Sequence, residues 1–113
     1  MHEYSVTKSL VDLCNQEAEK NKIKRVRLIK IKLGKFTGFS SESINFYFDY
    51  LKGNTRCKNA KLEFFEIPIK IRCKDCGYED TIEEPIFICP KCSKMDIEVI
   101  TGREFYVESI EGE

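Results

Sequence analysis

The chain has 113 residues, of which 42% are apolar, and its 19 basic and 19 acidic residues cancel. This length suits one compact unit with an added metal-stapled lobe. The balanced charge argues against general nucleic-acid binding, for which we expect a clear excess of Lys and Arg.

The first predicted element is an amphipathic helix from about Glu3 to Lys20. Its apolar side chains fall at helical spacing: Val6, Leu10, Leu13, Cys14 and Ala18. Because Cys14 lies on this apolar stripe, we interpret it as a buried free thiol rather than a metal or redox group. A strand with partial apolar cover on both faces follows from Arg25 to Leu33, and Gly34 ends it.

A second helix is predicted from a Ser40 or Ser41 cap to about Lys52. Its apolar stripe comprises Ile44, Tyr47, Phe48 and Leu51, widened by Phe46 and Tyr50, which we expect to pack in the core. Gly53 is expected to stop this helix in a left-handed conformation. The polar stretch that follows contains Cys57, which we expect to be a loop thiol with no metal duty.

Residues 60–67 read as a second strand, Pro68 interrupts it, and the extended segment 69–72 leads to the first of two cysteine pairs. After the second pair, segments 97–100 and 103–110 suit a return strand to the N-terminal sheet. We therefore expect an α+β fold: a small mixed sheet with two helices, plus an inserted four-cysteine zinc-ribbon lobe. The expected domains are residues 1–69 with 97–113, and residues 70–96.

The two cysteine pairs are Cys73-Lys74-Asp75-Cys76 and Cys89-Pro90-Lys91-Cys92, separated by twelve residues. Two pairs with this spacing are typical of a tetrahedral zinc site with four thiolate ligands. Gly77 follows the first pair, where the tight turn of such a knuckle commonly needs a positive φ. Ser93 occupies the matching place after the second pair, so we expect that turn to fit less well.

Three alternatives for these cysteines are rubredoxin-like iron, a redox dithiol and a disulfide framework. The sequence shows no signal peptide and no long apolar run, so we expect a cytoplasmic protein without a membrane partner, in which thiols stay reduced. A closed site with four sulfur ligands has no open coordination position. Zinc here would stabilise a fold rather than catalyse a reaction.

Taken together, the sequence resembles the HypA/HybF family of hydrogenase nickel metallochaperones. The features that carry the resemblance run through the whole chain: Met1-His2-Glu3 and the helix after it, the Gly34 turn, Phe46-Tyr47-Phe48, the Gly53, Thr55 and Ala60 connection, both cysteine pairs, and Gly102-x-Glu104-x-x-Val107-x-Ser109-Ile110-Glu111. The sequence departs from the family at Ser93, where Gly is frequent, and at Gly112, where an apolar residue is common.

The resemblance implies that nickel binds at the amino terminus, to Met1, His2 and Glu3. The local chemistry is consistent with this, because the Met1 amine and the His2 amide nitrogen close a five-membered ring around a metal. The same amide and the His2 Nδ1 close a six-membered ring, so three nitrogens share one plane. The Glu3 amide, its carboxylate, water or a partner residue completes the square that Ni(II) and Cu(II) favour.

The resemblance further implies a carrier rather than an enzyme: it would bring Ni(II) to the [NiFe]-hydrogenase large-subunit precursor together with a HypB-type GTPase. Urease maturation proteins are a further class of partner that the family allows. Two other hypotheses compete with this one. They are a zinc-ribbon adaptor that binds protein or RNA without nickel transfer, and a rubredoxin-like electron carrier.

Overall fold

In a computed structural model, which describes residues 2–113, the chain has the expected α+β fold. Its elements in chain order are α1 Glu3–Lys20, β1 Val26–Gly34, a 3-10 turn Lys35–Thr37, α2 Ser41–Leu51, β2 Lys61–Ile67, β3 Ile69–Cys73, β4 Glu79–Ile82, β5 Ile97–Thr101 and β6 Phe105–Gly112. The bounds predicted for α1 are confirmed. None of the helices described is long and apolar enough to cross a bilayer.

The strands form two three-stranded sheets, and the first has the order β2-β1-β6. The return strand predicted near the end of the chain, β6, therefore does rejoin the N-terminal sheet. The core of this unit consists of apolar side chains from α1, β1 and α2 that are almost fully buried: Leu10, Val11, Cys14, Ala18, Val26, Ile29, Ile31, Ile44 and Phe48. Burial of this apolar surface is the main favourable contribution to folding.

The second sheet has the order β4-β3-β5, and β3 is antiparallel to both neighbours. Residues 69–72, predicted to be extended, lie in the central strand of this sheet. Residues 97–100 were wrongly assigned to the return strand, since Ile97 lies opposite Cys73 in the β3–β5 ladder. Period-two alternation identifies a strand but does not say which sheet it joins.

The chain divides into two compact units. The first comprises residues up to Lys32, Phe39–Phe65 and Tyr106–Glu113, and the second comprises Leu33–Gly38 and Glu66–Phe105. The segment 70–96, predicted to be the inserted lobe, lies within the second unit. That unit also contains the whole of β5, so the contacts extend it beyond residue 96.

The structure confirms one predicted end of α2 and corrects the other. Ser40 is the N-cap, and its hydroxyl accepts a hydrogen bond from the Ser43 N–H at 3.3 Å. The C-cap is Lys52 in a right-handed conformation, and Gly53 is not among the described glycines with a positive φ. The left-handed stop predicted at Gly53 was therefore wrong.

Two aromatic side chains of α2 lie outside the core to which the sequence interpretation assigned them. Phe46 is 70% exposed and Tyr50 is 76% exposed, whereas Ile44 and Phe48 are buried. At about 100° per residue, a residue two positions from Ile44 or Phe48 lies roughly on the opposite face of the helix. The apolar stripe of α2 is therefore narrower than its aromatic content suggests.

Candidate metal sites

The four paired cysteines converge on one point in the second unit. Their sulfur atoms all lie within 4.8 Å of one another. The Cys73 and Cys92 sulfurs are 3.6 Å apart, and those of Cys76 and Cys89 are 3.7 Å apart. A tetrahedral zinc ion with Zn–S bonds of about 2.3 Å sets its sulfur ligands roughly 3.8 Å apart. The donor set and its dimensions therefore fit such an ion.

Secondary structure accounts for the position of the cysteines. Cys73 is the last residue of β3, and Cys76 lies in the turn after it. Cys89 and Cys92 lie in the loop between β4 and β5, and β5 returns beside β3. The pairing of β3 with β5 thus brings the second cysteine pair next to the first.

The two knuckle turns have the same backbone geometry. The Gly77 N–H donates to the Cys73 carbonyl at 2.8 Å, and the Ser93 N–H donates to the Cys89 carbonyl at 2.8 Å. Gly77 has φ 76° and Ser93 has φ 64°, so both adopt the left-handed conformation. The positive φ predicted for Gly77 is confirmed. Ser93 adopts the same turn despite its side chain, at a steric cost that glycine avoids.

Backbone N–H groups surround the sulfurs of the second pair. The pKa of Cys89 is about 7: burial raises it, but the N–H groups of Cys92 and Lys91 lower it by more. The Lys94 N–H lowers the pKa of Cys92, but burial and the neighbouring sulfurs raise it by more. The pKa of Cys92 therefore rises to about 12. Metal binding requires all four thiols to lose their protons, and a bound dication offsets the repulsion among the four thiolates that result.

The predicted nickel site begins at Met1, which lies outside the described residues. His2 is exposed and occupies the N-cap position of α1, where its imidazole makes no capping hydrogen bond. Its carbonyl oxygen accepts the Val6 N–H at 2.9 Å, the first hydrogen bond of the helix. The main chain of His2 is therefore held by α1, and its ring lies at the surface.

Glu3 makes two contacts that the sequence did not predict. Its carboxylate Oε2 accepts a hydrogen bond from the backbone N–H of Ser40 at 2.5 Å. Its carbonyl oxygen accepts one from the hydroxyl of the buried Thr7 at 2.6 Å. Ser40 is 37 residues away along the chain, so sequence spacing carries no signal for the first contact.

The remaining two cysteines lie apart from the four-sulfur cluster. Cys14 is fully buried, as predicted, and its pKa rises to about 12, first through burial and then through Cys57 and Glu17. Cys57 lies in a loop, as predicted, but it too is fully buried, and burial raises its pKa. Neither belongs to the metal-ligating group that the described residues contain.

This fold and this cysteine cluster together define a small metal-binding protein. A family model described as "Hydrogenase/urease nickel incorporation, metallochaperone, hypA" matches residues 1–112. The hydrogenase maturation factor HypA of Caldanaerobacter subterraneus subsp. tengcongensis is 42% identical over 114 residues, which cover all of both chains. The HypA of Moorella thermoacetica is 34% identical over 113 residues, again all of both. The chain belongs to the HypA family.

Solved structures agree with this assignment. The solution structure of the nickel metallochaperone HypA from Helicobacter pylori is similar, with a TM-score of 0.71 and 26% identity over 99% of this chain and 97% of that one. Another solution structure of a HypA protein has a TM-score of 0.74 and 26% identity, over 99% of this chain and 96% of its own. The family resemblance predicted from the sequence is confirmed.

Proposed function

We propose that this protein binds Ni(II) at its amino terminus and delivers it to the [NiFe]-hydrogenase large-subunit precursor, while a zinc ion on four cysteines stabilises the fold. The observation that supports the nickel proposal is the exposed His2 at the N-cap of α1, in a chain of the HypA family. Its ring makes no capping bond, so it can turn toward a metal held by the terminal nitrogens.

The proposed zinc ligands are Cys73, Cys76, Cys89 and Cys92. The sulfur separations of 3.6 and 3.7 Å support a tetrahedral ion. We favour zinc over the iron alternative because the spacer between the two cysteine pairs is short for a rubredoxin fold. A site closed by four thiolates leaves no position for a substrate, which supports a structural role.

The proposed nickel ligands are nitrogens of the Met1 amine, the His2 amide and the His2 ring, with Glu3 contributing to the same site. A dication at this point lies beside the positive end of α1, whose dipole would repel it. Deprotonation of backbone amides offsets this, because each deprotonated amide cancels one positive charge. The two metals are thereby sorted: zinc takes the soft thiolates, and nickel takes the nitrogens.

The proposed partners are the hydrogenase precursor and a HypB-type GTPase, with urease maturation proteins as a further class that the family description allows. A carrier must release its metal to a partner. A surface site at the first residues of a helix suits release better than a closed cage does. We propose the cytosol as the place of action, since four reduced thiolates are needed for the zinc site.

The competing function is a zinc-ribbon adaptor that binds a protein and ignores nickel. The exposed aromatic side chains of Phe46 and Tyr50 are the observation in its favour, because large exposed apolar groups frequently mark contact surfaces. A carrier that docks on its partners also needs such a surface. Nickel binding therefore separates the two functions better than partner binding does.

The decisive experiment is spectroscopy of nickel-loaded protein whose amino terminus is authentic and untagged. The proposal predicts a yellow, square-planar Ni(II) spectrum with nitrogen ligands and one colourless zinc per chain. Nickel bound through sulfur, or a red protein containing iron, would contradict the site assignments. No nickel binding by the untagged protein would leave the adaptor as the better account.

A further inference from the structure

The hydrogen bond between Glu3 and Ser40 bears on whether the Glu3 carboxylate can bind nickel. This inference rests on the proposed function. Ser40 is the N-cap of α2, so its own N–H has no acceptor within that helix. The Glu3 carboxylate supplies one, at 2.5 Å. It also places a negative charge at the positive end of the α2 dipole, where anions are stabilised. The carboxylate therefore already has a well-matched partner within the protein.

The main chain of Glu3 is held as well. Its carbonyl accepts the hydroxyl of Thr7, which is fully buried in the first turns of α1. Glu3 is thus fixed at two points, through its side chain to the start of α2 and through its carbonyl to α1. Glu3 directly follows the two residues that supply the proposed nickel ligands.

We infer that Glu3 is a positioning residue of the nickel site, whose carboxylate stays on the Ser40 N–H and leaves the fourth coordination position to another atom. A carboxylate that moved to the metal would give up the Ser40 N–H to water and remove the charge that stabilises the start of α2. The carboxylate would leave the Ser40 N–H only if its bond to nickel were stronger than its interaction with the start of α2. Because square-planar Ni(II) prefers nitrogen ligands to a carboxylate oxygen, that exchange is unfavourable.

The first test uses the unmodified protein and the amide resonance of Ser40. Square-planar Ni(II) is diamagnetic, so this signal can be followed through a nickel titration. We expect it to keep its position while the signals of the terminal residues move. Glu3→Ala supplies the reference for a broken bond. Movement of the Ser40 signal on nickel loading to its position in Glu3→Ala would overturn the inference.

The second test compares variants by the rate at which a chelator removes nickel. Ser40→Pro deletes the N–H donor, while Ser40→Ala keeps the N–H and deletes only the hydroxyl cap. We expect Glu3→Ala and Ser40→Pro each to release nickel several-fold faster, because the terminal ligands are then less well positioned, and the double variant to be no faster than either. Ser40→Ala should release nickel like the parent protein.

Glu3→Gln separates positioning from ligation, because its amide oxygen can still accept the Ser40 N–H. It should keep the parent nickel spectrum and release nickel more slowly than Glu3→Ala does. Glu42→Gln removes another charge from the first turn of α2 and serves as the control. A changed nickel spectrum in Glu3→Gln, with parent-like release from Ser40→Pro, would show that the carboxylate is a ligand. If the parent protein bound no nickel at its amino terminus, the proposed function itself would be refuted.

Discussion

Gly77 and Ser93 are structural equivalents: each follows a cysteine pair, each has a left-handed backbone, and each donates its N–H to the first cysteine of the pair at 2.8 Å. The sequence pattern shows the likeness of the pairs but not this identity of geometry. One knuckle has the residue that suits a positive φ, and the other has a serine that must adopt it.

This equivalence predicts opposite effects of two reciprocal substitutions. Ser93→Gly should stabilise the zinc-loaded protein by about 0.5 kcal/mol, since relief of left-handed strain exceeds the added freedom of the unfolded chain. Gly77→Ser should destabilise it by about 1 kcal/mol, because a Cβ at Gly77 meets no atom within 4 Å and only φ opposes it. Denaturant unfolding of both variants checks this. A destabilising Ser93→Gly beside a neutral Gly77→Ser would contradict the equivalence.

The four-thiolate assignment predicts that Cys76→Ala loses zinc and unfolds the second sheet around it, because a structural metal contributes its binding free energy to folding. Metal analysis and a ribbon spectrum measure the loss. Cys57→Ala is the matched control, since Cys57 is buried but outside the cluster. It should keep one zinc per chain and lose only about 1 kcal/mol of stability. Full zinc content in Cys76→Ala would show the assignment to be wrong.

The close approach of Gly34 to the chain near Gly102 predicts a large effect of a single methyl group. The Gly34 N–H donates to the Glu104 carbonyl at 2.6 Å, and a Cβ on Gly34 would overlap the Gly102 carbonyl. Gly34→Ala should therefore destabilise the protein by about 3 kcal/mol or more, because backbone atoms must shift.

Gly38→Ala is the control for Gly34→Ala. Gly38 has φ 76° and open space around a Cβ, so its substitution should cost only about 1 kcal/mol through backbone strain. Thermal unfolding of the two variants gives the comparison. Equal losses would mean that the approach of Gly34 to Gly102 is not as tight as described.

Much of this fold follows from local patterns, and the errors come from contacts between distant segments. The spacing of Cys73, Cys76, Cys89 and Cys92 predicts a metal cluster because each pair is local and the chemistry of four thiols is specific. The partner of β5 and the contact from Glu3 to Ser40 depend on how the chain returns in space. No periodicity carries that information.

The misassigned aromatic residues have a different cause. Phe46 and Tyr50 were placed in the core on the strength of their apolar character, although the helical period puts them opposite Ile44 and Phe48. Hydrophobic residues are not always buried, and in α2 the helical phase determines burial better than residue type does. Cys57 lies in a loop, as its polar neighbours in the sequence predict, but the fold buries its thiol.

The raised pKa of Cys14 predicts a loss of stability at alkaline pH. The thiol has an ordinary pKa of 9.0 and one of about 12 in the folded chain, chiefly because of burial. An unfolded chain therefore loses this proton first, and stability falls as pH rises from about 9 toward 12, by up to a few kcal/mol. In Cys14→Ala the fall between pH 7 and pH 10 should be smaller by about 1.4 kcal/mol, because pH 10 lies only one unit above the ordinary thiol pKa. Urea midpoints at pH 7 and 10 measure the difference. An unchanged fall would contradict the burial argument.

Nickel transport by this protein requires Ni(II) to bind through the terminal amine, the His2 amide and the His2 ring. Calorimetry of Ni(II) binding to the untagged protein, beside His2→Ala and a protein extended before Met1, tests it most directly. Zinc content should be equal in all three, since His2 lies outside the core and the cysteine cluster. We expect one tight nickel site in the parent, none in His2→Ala, and much weaker binding in the extended chain. Parent-like nickel affinity in both variants would contradict the account.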